Sequence, residues 1–126
     1  MNRMRKAIIA SAVGPVELAE GSGKQSFSFD ETFLGFAGHF PGYPILPGVL
    51  QNLLAQVVSE QVISDPVEFR AIQRAKFSRQ LRPGDQIEVE VICRDKEGAL
   101  YCATKMRVGS EEASSFTLIL EKKATT

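Results

Sequence analysis

The strongest constraint on this chain is a helix with almost no polar face. Over residues 47–64, Val49, Leu50, Leu53, Leu54, Val57, Val58 and Ile63 leave little of the circumference polar. Nothing breaks the helical pattern before Asp65-Pro66. Pro47 and Gly48 suit the start, where amide donors are missing or unpaired in any case. A helix apolar on most sides has to be wrapped by other structure, and the remaining sequence reads as strands. Residues 7–20 alternate loosely and bend at Gly14-Pro15, with residues 7–13 opening as a first strand. Gly21-Ser22-Gly23 reads as a turn, and residues 25–30 alternate as a second strand. After the helix come residues 69–81, 87–93, 100–108 and 115–121, separated by turns at Arg82-Pro83-Gly84-Asp85, residues 95–98 and Gly109-Ser110. Two strands, one long helix and four antiparallel strands predict an α+β fold, a single domain over residues 1–126 with its sheet curled around the helix.

Composition excludes several functions. Lysine plus arginine, 15, equals aspartate plus glutamate, 15, and nucleic acid or an anionic membrane as main partner calls for a basic excess. The apolar run after Arg3, Arg5 and Lys6 is too short, and too soon broken by Ser11, Gly14 and Pro15, for a secretory leader. No stretch approaches the roughly 20 apolar residues that span a bilayer. A cytoplasmic protein without membrane insertion is expected, with Cys93 and Cys102 as reduced thiols. One histidine and no Cys/His cluster supply no zinc site. Neither a phosphate-binding glycine loop nor a nucleophile elbow is present, and no cofactor is expected.

Residues 31–48 combine Phe33, Leu34, Phe36, Phe40, Tyr43, Ile45 and Leu46 with Pro41, Pro44, Pro47 and glycines. The prolines forbid a regular element, yet the segment is too apolar for a solvated loop. It reads as a buried, shaped loop of the kind that carries function. Within it, Gly38-His39-Phe40-Pro41-Gly42-Tyr43-Pro44-Ile45-Leu46-Pro47-Gly48-Val49 resembles the motif of the 3-hydroxyacyl-acyl-carrier-protein dehydratases. A second stretch, Arg74-Ala75-Lys76-Phe77-Ser78-Arg79 with Arg82-Pro83-Gly84-Asp85-Gln86, is similar to the same family's strand and turn after the helix. The resemblance covers about residues 30–90 and implies the hotdog fold and dehydration of a 3-hydroxyacyl thioester.

That reaction needs a base for the C2 proton, an acid for the departing hydroxyl, and stabilisation of the developing enolate oxygen. His39 is the only imidazole, in a setting where burial favours its neutral, basic form. Gly48 offers free amides at the positive end of the helix dipole, suited to a thioester carbonyl oxygen, the role the resemblance implies for it. The family's helix carboxylate falls on Leu53, which can neither donate nor accept a proton. Nearby polar residues are Gln51, Asn52 and Gln56, and the nearest helix acid, Glu60, lies about 10 Å further along the axis. The opening Pro-Gly-Val-x-Gln is similar to divergent dehydratases of aryl-polyene and related lipid pathways. Three readings stay open: a variant dehydratase using His39 alone or with a water held by Asn52 and Gln56, a hotdog thioesterase, and a non-catalytic acyl-binding or assembly subunit.

Phe33, Phe36, Phe40, Leu46, Val49, Leu50 and Leu53 are candidates to line an acyl tunnel. The resemblance implies that Arg74, Lys76, Arg79 and Arg82 meet the phosphopantetheine arm and an acidic acyl carrier protein, with coenzyme A as the alternative carrier. On strand alternation alone, Arg74 and Lys76 share a face and Arg79 takes the other unless a bulge intervenes. An unpaired sheet edge favours pairing with a second copy, and the family's site is shared across such a dimer. At least a homodimer is predicted, a hexamer being a trimer of dimers.

Overall fold

The computed structural model of the chain describes residues 3–36 and 44–123. Helix α1 (Arg3–Ala10) leads into strands β1 (Ala12–Ala19) and β2 (Ser22–Ser28). A 3-10 turn (Leu34–Phe36) precedes the long helix α2 (Gly48–Ile63), and β3 (Val67–Phe77), β4 (Gln86–Lys96), β5 (Ala99–Val108) and β6 (Glu111–Lys122) follow. The strands form one antiparallel sheet in the order β1-β2-β4-β5-β6-β3. The sheet curls around α2, the α+β arrangement that the apolar helix demanded and the hotdog fold that the resemblance implied.

Period-2 alternation accounts for the fit. On β4 Ile87, Val89 and Val91 are buried, as are Leu100, Cys102, Thr104 and Met106 on β5. Leu54, Ala55 and Val58 of α2 have no exposed surface. Each buried leucine or valine of this kind stabilises the fold by about 1.5–3 kcal/mol. Ser64 ends α2 in the left-handed conformation, its amide donating to the Glu60 carbonyl at 2.8 Å. Gly14 supplies the positive φ of 86° that the bend in β1 needs. Cys93 and Cys102 face each other across β4 and β5 as free thiols. Contact with the Cys93 thiol, together with burial, pushes Cys102 far above its ordinary pKa.

Three sequence expectations need correction. Residues 7–13 are not a first strand: Arg3–Ala10 is helical and β1 begins at Ala12. Met4, Ala7 and Ile8 share one helix face at i, i+3 and i+4, and Ile8 is buried. Ser11 closes this helix, its hydroxyl donating to the Ala7 carbonyl at 2.8 Å, and Arg5 forms an ion pair with Glu60 of α2. Gly21-Ser22-Gly23 is not a turn either, since β2 already begins at Ser22. Gly23 lies inside the strand, where a Cβ would sit 2.7 Å from Val62 Cγ2 of α2. Strand β3, finally, stops at Phe77 rather than running to Leu81. The Ser78 and Arg79 amides both donate to the Ala113 carbonyl, and the Leu81 carbonyl turns to accept the Leu46 amide at 2.7 Å. That last bond fastens the approach to α2 beside the end of β3.

Candidate functional site

His39 and Phe40 lie outside the described residues. The site is therefore built from the start of α2. Pro47 occupies the N-cap with extended backbone (φ −70°, ψ 157°) and gives no side-chain hydrogen bond to the first turn. The Leu50 and Gln51 amides both donate to the Pro47 carbonyl at 3.0 and 3.1 Å. Gly48 and Val49 come too early to find a carbonyl four residues back, so their donors point out of the helix at its positive end. Gly48 borders a cleft of about 330 Å³ whose walls include Leu46, Pro47, Gln51, Phe77 and Arg79.

Phe77, which the sequence reading did not select as a site residue, covers this helix start. Its ring is half exposed at the end of β3 and tilted against Phe116, with ring centroids 6.3 Å apart. A Cβ built on Gly48 would lie 3.1 Å from Phe77 Cζ. Glycine is therefore what allows anything to approach the amides under the ring. A phenylalanine closing a strand just before the Ser78–Asp85 turn was a visible cue, but its neighbour across the site lies 29 positions earlier in the chain.

The polar residues of α2 separate by partner. Gln56 is buried and spends its amide nitrogen on the Glu60 carboxylate and the Val67 carbonyl at 3.3 and 3.4 Å. Eight residues from Gly48, it lies about 12 Å along the axis from the cleft. Gln51 is 4% exposed; its Nε2 donates to the Leu46 carbonyl at 3.1 Å, and its Oε1 has no partner among the described residues. The Asn52 Oδ1 is likewise buried and unpartnered. Leu53 is half-buried against the core, and Glu60 is held by Arg5.

Of the apolar candidates among the described residues, only Leu46 borders the cleft. Phe33 and Phe36 are buried in edge contact, 5.5 Å between ring centroids. They are seated on α2 through Gly35, where a Cβ would come within 2.5 Å of Leu50 Cδ1. Val49, expected to line a tunnel, is 71% exposed, because the first turn of α2 turns that side away from the sheet.

The four cations are not one patch. A bulge does intervene in β3, between Gln73 and Lys76, and Arg74 sits in it with φ 55°. Arg74 borders a groove on the outer sheet face with Glu90 and Lys105. Arg79 turns the other way and binds Asp85 at 2.9 Å and Glu111 at 3.0 Å. Burial raises the Asp85 pKa, but hydrogen bonds from Arg79 and the Arg82 amide outweigh it and hold the carboxyl below its ordinary value. Lys76 is exposed on β3 and Arg82 on the turn.

No helix among the described residues is long and apolar enough to cross a membrane. Similarity to known proteins agrees with this fold. The family model of the ApeI-like proteins, described as ApeI dehydratase, matches residues 17–115. The chain is 35% identical over 115 residues to the 3-hydroxyacyl-[acyl-carrier-protein] dehydratase FabZ of Desulforamulus reducens, covering 82% of this chain and 80% of that one. It is 40% identical over 105 residues to the FabZ of Pelotomaculum thermopropionicum, covering 77% and 74%. In structure it is similar to the dehydratase heterocomplex ApeI:P from Xenorhabdus doucetiae, with a TM-score of 0.69 and 25% identity over 82% of this chain and 90% of that one. Cj0977, a sigma28-regulated virulence protein from Campylobacter jejuni, gives a TM-score of 0.72 over 98% of both chains, at 14% identity a likeness of fold alone.

Proposed function

The chain belongs to the ApeI-like dehydratase family, a thioester dehydratase, and from that premise we propose a division of labour in which His39 is the base and the start of α2 receives the thioester carbonyl oxygen. His39 takes the C2 proton, and the electron pair flows towards the carbonyl oxygen, where charge develops. The Gly48 and Val49 donors, aided by the dipole of α2, meet that charge without reorganising. The pair then forms the C2–C3 double bond as the C3–O bond breaks. The imidazolium gives its proton to the departing hydroxyl, so water leaves and His39 is neutral again. The observation supporting this reading is the uncapped helix start opening on a cleft at Gly48. A single base doing both transfers suits an α2 whose first acid is Glu60, already engaged by Arg5.

The acyl group arrives on acyl carrier protein in this reading, with Arg74, Lys76 and Arg82 as the cations that meet it and Arg79 shaping the turn. Coenzyme A would need less of that surface. Strand β1 is a poor edge for pairing because Gly14-Pro15 interrupts it, whereas β3 offers a longer edge with Phe69 and Phe77 about half exposed. A second copy is proposed to pair there, giving a homodimer that also covers Val49 and the mouth of the cleft, with a hexamer as three such pairs. Sedimentation at working concentration giving a monomer would remove the shared site. A cytoplasmic setting fits the opposed free thiols of Cys93 and Cys102. The other reading with an observation behind it, a non-catalytic acyl-binding subunit, rests on Leu53.

The test is interconversion of 3-hydroxyacyl and 2-enoyl thioesters by the wild type and His39→Ala. The variant should lose about 10²–10⁴-fold in rate. Equal rates would remove His39 from the chemistry. Release of free thiol would identify a thioesterase, and tight acyl-thioester binding without turnover would identify the binding subunit.

A further inference from the structure

We propose that Gln51 is the group that recognises the substrate's 3-hydroxyl, its Oε1 accepting the hydroxyl proton. This rests on the dehydratase reading and gives the missing helix carboxylate's neighbourhood a different occupant. The orientation of the carboxamide is fixed by its partner. Nε2 donates to the Leu46 carbonyl at 3.1 Å, and a carbonyl accepts only from the nitrogen end, so Oε1 must be the end left over. That oxygen belongs to a residue only 4% exposed, has no partner among the described residues, and sits on a side chain bordering the cleft at the α2 start. A buried acceptor without a donor costs about 1–3 kcal/mol, a cost that a ligand bearing one correctly placed O–H removes.

Position agrees with chemistry. Gln51 is three residues from Gly48, about 4.5 Å along the axis, so a thioester oxygen at the amides and a hydroxyl at Oε1 would engage one short β-hydroxyacyl unit. Accepting a hydrogen bond from the hydroxyl leaves that oxygen's own lone pairs free to be protonated as it departs. Gln51 transfers no proton itself; it fixes the position of the leaving group. The arrangement also selects hydroxylated chains. A pocket built around a buried acceptor accepts a 3-hydroxyacyl thioester and penalises the saturated one.

The experiment compares Kd for a 3-hydroxyacyl thioester and for the saturated thioester of equal length, in the His39→Ala background where turnover is slowed by about 10²–10⁴-fold. Preference for the hydroxylated ligand of about tenfold is expected with Gln51 present, falling to near unity in His39→Ala/Gln51→Met. Loss of the Leu46 tether affects both ligands alike and cancels in the ratio. Gln51→Glu, which retains an acceptor, should keep a preference; should the methionine variant not fold, this variant and the ratio with Gln51 intact decide the matter. No preference with Gln51 present, or an unchanged preference in the methionine variant, overturns the proposal. A Gln51-dependent preference in a wild type that never forms enoyl product would sink the dehydratase reading and leave this one standing. Normal turnover with an unchanged ratio would do the reverse.

Discussion

Gly48→Ala separates stability from chemistry at one atom. The new methyl would stand 3.1 Å from Phe77 Cζ and 3.5 Å from Cε1, so the ring has to shift by a few tenths of an ångström. Phe77 is half exposed and held on one side by Phe116, so that shift costs less than about 1 kcal/mol. Against it stands the helix preference of alanine over glycine, up to about 1 kcal/mol and smaller in a first turn. The two nearly cancel, and the urea midpoint should change by less than the equivalent of about 1 kcal/mol. Activity should not survive so well. The methyl and the displaced ring take the space from which a carbonyl oxygen reaches the amides, and loss of one such donor costs about 10²–10³-fold in kcat. The assay is the ultraviolet signal of the enoyl thioester under single-turnover conditions, alongside urea melts of both proteins. An alanine variant with wild-type kcat would refute the assignment of the carbonyl site to this helix start. One that loses activity only because it is unfolded would refute the packing argument instead.

Two further outcomes follow from neighbouring residues. Leu53→Glu places a carboxylate in a half-buried position against the core, which should cost about 1–3 kcal/mol in urea melts; with His39 performing both proton transfers, kcat should not rise, and a large rise would show that the native site is impaired rather than rewired. Asp85→Asn removes the charge held by Arg79 and the Arg82 amide and should destabilise by about 2 kcal/mol at pH 7. Because the folded Asp85 pKa is lowered, its contribution is present above the ordinary carboxylate value of about 4 and disappears as pH falls through the lower folded value. Wild type and variant should therefore draw together in urea melts as pH falls below about 4, and a gap that stays constant through that fall would exclude Asp85 as its source.

What the sequence revealed follows the range over which its causes act. Helix α2 and strands β4 to β6 are written in their own periods, because each buries a face against a sheet that repeats the same alternation. Helix α1 is not. Ile8 and Ile9 are adjacent β-branched residues that locally favour a strand, and what makes Arg3–Ala10 helical is docking: Ile8 in the core and Arg5 on Glu60, 55 positions away. An eight-residue helix has little stability without such contacts. The cation group divided for a similar reason, since one of the two carboxylates holding Arg79 arrives from the start of β6.

The site shows both limits within a few residues. Gly48 was legible because a glycine after a proline at a helix start has a local backbone reason to be there. Gln51, Asn52 and Gln56 were alike in the sequence, three amides on one helix, and only packing tells them apart. Gln56 reaches Val67 and Glu60, so both its position and its donors are spent on holding α2 to β3. Gln51 spends one end on Leu46, and in doing so aims the other. A carboxylate in its place would keep an acceptor but give up the donor to the Leu46 carbonyl. The amide is thus the neutral side chain that can both brace the loop leading into α2 and present an acceptor of fixed direction.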